Sequence, residues 1–336
     1  MRWLGWLLLG LVATLPRGAS ADPKYTLRMG TVVPEGTAWA REMKAFSRDV
    51  AQATNDEVRL KWYLGGIAGD DIEAGERIQR DHLDGVGAGA WQCERWAPTF
   101  GVTRLPGLFE SRAEAKHVSS RLRSVLEAEF LRAGLIYLGD SEVGPSMVFT
   151  RNPIRTIDEL RRVKLWSLDN DATKTKVMTA LGLTLVPLPF DKSRAAFDDG
   201  RVDGFLAPPT GAMAFQWSTQ ARYLLDLHTD YIMACVVIAA RAFDRLPIEH
   251  QRAVRAAAAK FSVRFDDVGL HADEELLGGL FERQGLKIIR PDASLRAAFS
   301  SAAHALWSKL DEKIVPQALL QQVQAMLTAY RAENAK

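Results

Sequence analysis

With only two cysteines in 336 residues, Cys93 and Cys235, the chain is no disulfide-dense scaffold, and without C-x-x-C or H-x-x-x-H spacing it lacks the usual zinc ligand patterns. An excess of one charge is missing too: 43 Lys and Arg face 41 Asp and Glu, a net +2. No basic cluster or basic–aromatic alternation stands out, so nucleic acid is not an expected partner. Beyond the first residues no uncharged run approaches the roughly 20 residues that a membrane span needs. Catalytic patterns are equally scarce. There is no G-x-S-x-G elbow, and His82, His117, His228, His250, His271 and His304 are scattered without ligand spacing. Asp198-Asp199 and Asp266-Asp267 are neighbours on helices, where side chains point apart by about 100°. Gly85 to Gly89 has the wrong glycine spacing for a dinucleotide loop, and no acidic residue follows at the expected distance. No enzyme, metal or cofactor is therefore expected.

What is present begins with an export signal. Arg2 precedes an apolar run from Trp3 to Leu15, and Ala19-Ser20-Ala21 forms a small-residue cleavage site. Cleavage after Ala21 would leave a periplasmic protein starting at Asp22; an uncleaved anchor is the alternative. Losing Arg2 and Arg17 would make the mature chain formally neutral. In an oxidising periplasm Cys93 and Cys235 could pair, but two buried free thiols acting as small apolar residues is the expected state.

About 315 mature residues exceed what one core organises, so two lobes are expected. Strand patterns at 25–29, 57–64 and 85–90 alternate with helical ones at 37–54 and 70–81. The pattern resumes with strands at 135–138, 146–150, 163–166, 183–187, 202–206 and 231–240, and helices at 157–160, 171–181 and 192–199. Such alternation predicts α/β lobes with largely parallel sheets. From Pro247 to about Gln284 no further proline interrupts a helical pattern, which predicts a helix about 57 Å long at 1.5 Å per residue. It lacks a strict heptad repeat, so a helix laid across both lobes is a better account than a coiled coil. Lobe I is expected to hold residues 22–144 and 232–262, and lobe II residues 145–231 and 263–336.

Five segments in order then carry a resemblance: Arg104–Phe109 with Glu114–Lys116, Asn152–Lys164, Leu181–Pro187, Phe197–Gly204, and the long helix from Pro247. Together they resemble the extracytoplasmic solute-binding proteins of TRAP transporters, in their C4-dicarboxylate-binding branch. The resemblance implies a two-lobed periplasmic solute-binding-protein fold of the α/β class, with a long lobe-spanning helix. It also implies a small-molecule ligand in the cleft and a TRAP-type membrane permease as partner.

The ligand anchors implied by the family are missing. Its signature arginine falls on Trp166, a second basic position on Ser146, and an asparagine on Ala207. An indole offers one N–H donor and cannot replace a bidentate guanidinium–carboxylate pair. The expected cleft is therefore mostly apolar, suited to a neutral, aromatic or lipid-like molecule, with Trp166, Phe205, Leu206 and Ala207 along it. Trp39, Trp91 and Trp217 lie near family cleft segments, and Gln92, Ser146 and Ser167 are candidate polar contacts. A variant branch with a periplasmic tetratricopeptide-repeat partner also lacks the arginine, and this chain resembles it more. Two alternatives stay open: an organic acid held by an arginine from elsewhere, such as Arg104 or Arg151, or a pocket filled with side chains in a protein that binds only a partner.

Overall fold

The computed structural model describes residues 22–334; the expected signal segment and its cleavage site lie outside the described residues. Among the described residues, eleven strands form two sheets: β1 (Tyr25–Gly30), β2 (Val58–Tyr63), β3 (Gly85–Gly89), β4 (Leu135–Pro145), β5 (Met147–Thr150), β6 (Lys164–Leu168), β7 (Thr184–Leu188), β8 (Gly204–Ala207), β9 (Tyr223–Leu225), β10 (Tyr231–Ala239) and β11 (Lys287–Ile289). The first sheet has the order β2-β1-β3-β10-β4 and the second β11-β9-β5-β8-β6-β7. β1 runs parallel to β2 and β3, while β10 is antiparallel to β3 and β4. In the second sheet β6 is parallel to β7 and β8, and β5 is antiparallel to both its neighbours.

Local sequence accounts for the elements that shape the space between the sheets. In β2, Val58 and Leu60 are buried while Arg59 and Lys61 face water, the alternation of a half-covered strand. Thr37 caps helix Ala38–Ala53 by accepting from the Ala40 N–H, and the buried stripe Trp39, Met43, Phe46 and Val50 docks it onto the sheet. Asp70 and Glu73 form a reciprocal capping box that starts helix Asp71–Gln79.

Four segments join the two halves, the last being residues 308–316, which lead back to helix Gln317–Asn334 on the first half. At the β4–β5 junction the Ser146 N–H donates to Asp230 O at 2.7 Å, and Ser146 O accepts from the Thr229 N–H at 2.9 Å, tying it to the strand that returns into β10. β4 carries bulges at these returns, where Gly139 and Gly144 adopt positive φ. The third segment is the long helix, Ile248–Glu275 after Pro247, which continues through a wide turn at Leu276–Leu280 to Arg283. The predicted 247–284 element is thus present but interrupted, because Gly279 sits at φ +120°. Phe261 and Phe265 of this helix join the first core, stacking on Phe46 and Trp39, whereas Leu276 and Phe281 join the second.

A polar node braces the same region. Arg112 pairs with Glu142 of β4 at 2.6 Å and with Asp273 of the long helix, and Asp273 accepts from the Thr210 N–H at 2.8 Å. Burial, only partly offset by Arg112, pushes Glu142 up to about 7.

The expectation of free thiols is corrected: Cys93 and Cys235 form a disulfide, linking helix Ala90–Trp96 to β10 across a separation of 142 residues. Their burial, which suggested inert thiols, results from their facing one another across β3 and β10. Helices Arg112–Arg132, Ala293–Trp307 and Gln317–Asn334 were not anticipated. Helix Gln317–Asn334 packs on helix Arg112–Arg132, where Arg331 pairs with Glu114 at 2.7 Å.

Candidate functional site

A cleft of about 930 Å³ lies between the two halves. It opens at the C-terminal ends of β1, β3, β6 and β7, where parallel strands of open α/β sheets present their loops to ligands. One side is built by Thr31–Pro34 after β1, Trp39, the Gly65-Gly66 turn, Gly69–Glu73 and Trp91. The other is built by Leu168–Asn170 after β6, Pro189–Asp191 after β7, and Ala214–Trp217. Residues of β10, Ser141 and Val143 of β4, and Phe261 and Phe265 close the back.

Aromatic rings face the cleft from both sides. On the first, Trp39 stacks on Phe265 at 5.6 Å, and Phe265 packs against Phe261 at 5.4 Å. On the second, Phe215 stacks on Trp217 at 4.9 Å, and Phe190 meets both rings edge-on or tilted at 5.4 and 5.2 Å. Phe190 is 43 % exposed, so an apolar ring waits at the rim. The Trp91 ring lies over Gly89, where a Cβ would come within 2.4 Å of it; only glycine leaves room for this ring position.

Charge on the lining has one sign. Among the described residues no Lys, Arg or His contributes to it, whereas Asp70, Asp71, Glu73, Asp169 and Asp191 all do. Asp70 and Glu73 are occupied by helix capping, and Asp70 also accepts from Asn170 Nδ2 of the opposite side at 3.0 Å. Asp71 is 1 % exposed. Its Oδ2 accepts from the Gly89 N–H at 2.9 Å, while Oδ1 has no hydrogen-bond partner among the described residues. Burial, against the pull of that one hydrogen bond, raises its carboxyl to about 7. Trp39 Nε1, Ser141 Oγ and Asn170 Oδ1 are likewise buried without partners on the lining.

The structure separates the expected site residues into two groups. Trp39, Trp91 and Trp217 line the cleft. The others do not, for reasons of side-chain direction. Trp166 is buried behind the second wall, packs edge-on against Trp217 at 4.8 Å, and donates its N–H to Leu188 O at 3.1 Å. Phe205 is fully buried and stacks on Phe149 at 4.8 Å within the second core. Leu206 points to the other face of the strand, against the first core, and Ala207 is buried opposite Met147. Ser167 Oγ lies 3.3 Å from Thr175 Oγ1. Ser146 is sealed in the crossing strands, and Gln92 is turned inward against Gly75 and Trp96.

The two arginines considered as substitutes are also engaged elsewhere. Arg104 is buried and pairs with Glu94 on the first side and Asp171 on the second, forming a charged contact between the halves. Burial opposes its charge, but Asp171 and Glu94 more than compensate and raise its pKa. Thr173 donates to Glu94 at 2.7 Å beside it. Arg151 lies over the Phe197 ring at 5.8 Å.

Sequence reasoning missed Phe190, Phe215, Phe261, Phe265, Asp71 and Asn170. One signal was available: the capping box Asp70–Glu73 fixes a helix start and places Asp71 in the first turn, after a glycine-rich loop that follows a strand. The aromatic residues had no such signal, because their contact across the cleft is tertiary.

Comparison with known proteins agrees with the fold. A curated solute-binding protein of Roseobacter denitrificans is 22 % identical over 310 residues, 91 % of this chain and 93 % of that one. The crystal structure of a sugar-acid-binding protein of Advenella mimigardefordensis in complex with galactonate superposes with a TM-score of 0.84 at 19 % identity, covering 92 % and 99 % of the two chains. A TRAP periplasmic solute-binding protein of Sulfurospirillum deleyianum with bound succinate gives 0.82 at 18 % identity, covering 90 % and 99 %. The likeness in structure shows the fold. The model of the bacterial extracellular solute-binding proteins, family 7, matches residues 29–313, and the chain belongs to this family of TRAP periplasmic solute-binding receptors.

Proposed function

We propose that the receptor takes a largely apolar small molecule, neutral, aromatic or lipid-like in its main body, in the cleft between its lobes. The observation that carries this reading is the lining: aromatic walls on both sides and no basic side chain. A carboxylate ligand enclosed there would be desolvated beside five acidic residues with no cation to meet it, which costs several kcal/mol. Aromatic surfaces with a few placed polar groups are what small-molecule pockets use for neutral ligands. We also assign export by a signal segment cleaved after Ala21 and delivery to a TRAP-type membrane permease, with a periplasmic tetratricopeptide-repeat protein as a further partner. For the moving lobes we propose residues 22–144 with 232–262 and residues 145–231 with 263–316, shortening the expected second lobe, which ran to 336. Residues 317–334 ride on the first lobe through helix Arg112–Arg132.

The organic-acid reading draws on the relatives, since the Advenella and Sulfurospirillum proteins were crystallised with galactonate and succinate. It requires a cation that the lining does not supply. Native mass spectrometry of gently purified protein, with identification of what denaturation releases, separates the two. Equilibrium titrations with Nile red, galactonate and succinate complete the test. Saturable Nile red binding and an apolar co-purified molecule are expected; tight succinate or galactonate binding would overturn the proposal.

A further inference from the structure

We propose that the ligand of this cleft carries a protonated amine on its aromatic or apolar body, and that the Asp71 carboxylate receives the amine. The inference rests on the reading of the cleft as an apolar ligand site and adds the ligand's charge to it.

Three observations point the same way. Asp71 Oδ1 and Asn170 Oδ1 are buried on the lining as oxygens without partners, beside the unpartnered Ser141 hydroxyl, which donates or accepts, and the Trp39 Nε1 donor. The Asn170 amide orientation is set by its donation to the Asp70 carboxylate, which leaves its carbonyl oxygen as an acceptor. An ionised carboxylate brings acceptors only and would meet Asp71 with no cation between them; an ammonium brings three donors and no acceptor.

Second, Asp71 is not merely an acidic residue at a helix start. Asp70 already supplies the cap of helix Asp71–Gln79, so the Asp71 carboxyl is free of that task and is turned to β3, held by the Gly89 N–H through one oxygen only. Third, rings flank the space. Trp39, Trp91 and Trp217 line it, and aromatic rings attract organic cations, more strongly when water is excluded.

The charges around Asp71 set the pH dependence. Asp70 is the neighbouring charge that acts on it. β3 carries no titratable residue; on helix Ala90–Trp96, Glu94 is tied to Arg104, and Arg95 is exposed. With no cation facing it, the buried carboxyl holds its proton up to about pH 7 in the free protein. A bound ammonium favours the ionised form, so amine affinity increases as pH rises through this range.

Calorimetric titration of the mature protein with tryptamine, its neutral analogue tryptophol and the acid indole-3-acetate tests the proposal. An aliphatic amine of this kind stays protonated throughout the range used. We expect tryptamine to bind about tenfold or more tighter than tryptophol near pH 8, with the ratio shrinking to about threefold or less near pH 5.5, and indole-3-acetate to bind least. Asp71→Asn should remove the advantage of tryptamine, bringing the tryptamine and tryptophol affinities to within about twofold of each other near pH 8. Should this variant fail to fold, the wild-type pH profile of the tryptamine-to-tryptophol ratio decides alone. Equal binding of amine and alcohol at both pH values overturns the amine proposal but leaves the apolar cleft standing. Failure of Nile red and tryptophol to bind, with saturable binding of an acid, overturns both.

Discussion

Replacing Asp71 by Asn perturbs a carboxyl whose ionisation is opposed by burial, and the effect can be worked out from the shift alone. Its value rises from an ordinary 3.8 to about 7. Three units at about 1.36 kcal/mol each give a penalty of about 4 kcal/mol for carrying the charged carboxylate in the free, folded protein. Below about pH 4 the carboxyl is protonated in both folded and unfolded chains, and the penalty is absent. Between about pH 4 and 7 the unfolded chain ionises while the folded one does not, so the folded state binds more protons and stability falls as pH rises. Above about pH 7 the loss is complete. Asn has no such titration and contributes a constant offset. Glu142, Asp266 and Asp273, whose values burial also raises, are common to both proteins and cancel in the difference. Urea unfolding at intervals from pH 4 to 8 should therefore show the variant gaining on the wild type, by about 4 kcal/mol across the range and mostly before pH 7. A difference that stays flat with pH, or shrinks as pH rises, would refute the reasoning.

Three other perturbations follow from the geometry. Arg104→Met leaves Glu94 and Asp171 buried beside each other without their cation, so a loss of roughly 3–5 kcal/mol in unfolding stability is expected, together with a larger radius of gyration in small-angle scattering. Reduction of the Cys93–Cys235 bond, or Cys93→Ser with Cys235→Ser, should cost about 2–5 kcal/mol in denaturant titrations run with and without reductant. Trp217→Ala removes the ring that Phe215, Phe190 and Trp166 pack against, and should weaken Nile red binding about tenfold or more by fluorescence titration.

Much of the fold was legible because it is written in local patterns. The alternation in 57–64, the proline at 247 and the small-residue strand at 85–89 each constrain a backbone without help from distant residues. The long helix was legible in extent, and its interruption lies at the glycine pair 278–279, which lowers helix propensity. Helix Arg112–Arg132 was missed because its buried stripe is diluted by charged residues on its other faces, and its packing against the C-terminal helix is tertiary. At the site, resemblance located segments but could not aim side chains. Trp166 stands where the family anchor is expected, yet its ring turns into the second core and supports Trp217 from behind. Along β8 the alternation divides Phe205 and Ala207 from Leu206, and neither face meets the cleft. The cysteines illustrate the same limit, since their pairing depends on the helix that follows β3 packing directly against β10.

The interleaving of the two sheets has a consequence for how the molecule comes into being. β10 inserts between β3 and β4, yet it is made only after β5 to β9, which belong to the other sheet; β11 in turn completes that second sheet from beyond the long helix. The first sheet cannot close before β10 ends at Ala239, nor the second before β11 ends at Ile289, and Cys93 must wait 142 residues for its partner. A nascent chain of this design carries the apolar strands of its first half without their β10 partner until late in its emergence, and the oxidation of Cys93 with Cys235 reports that the first sheet has received β10.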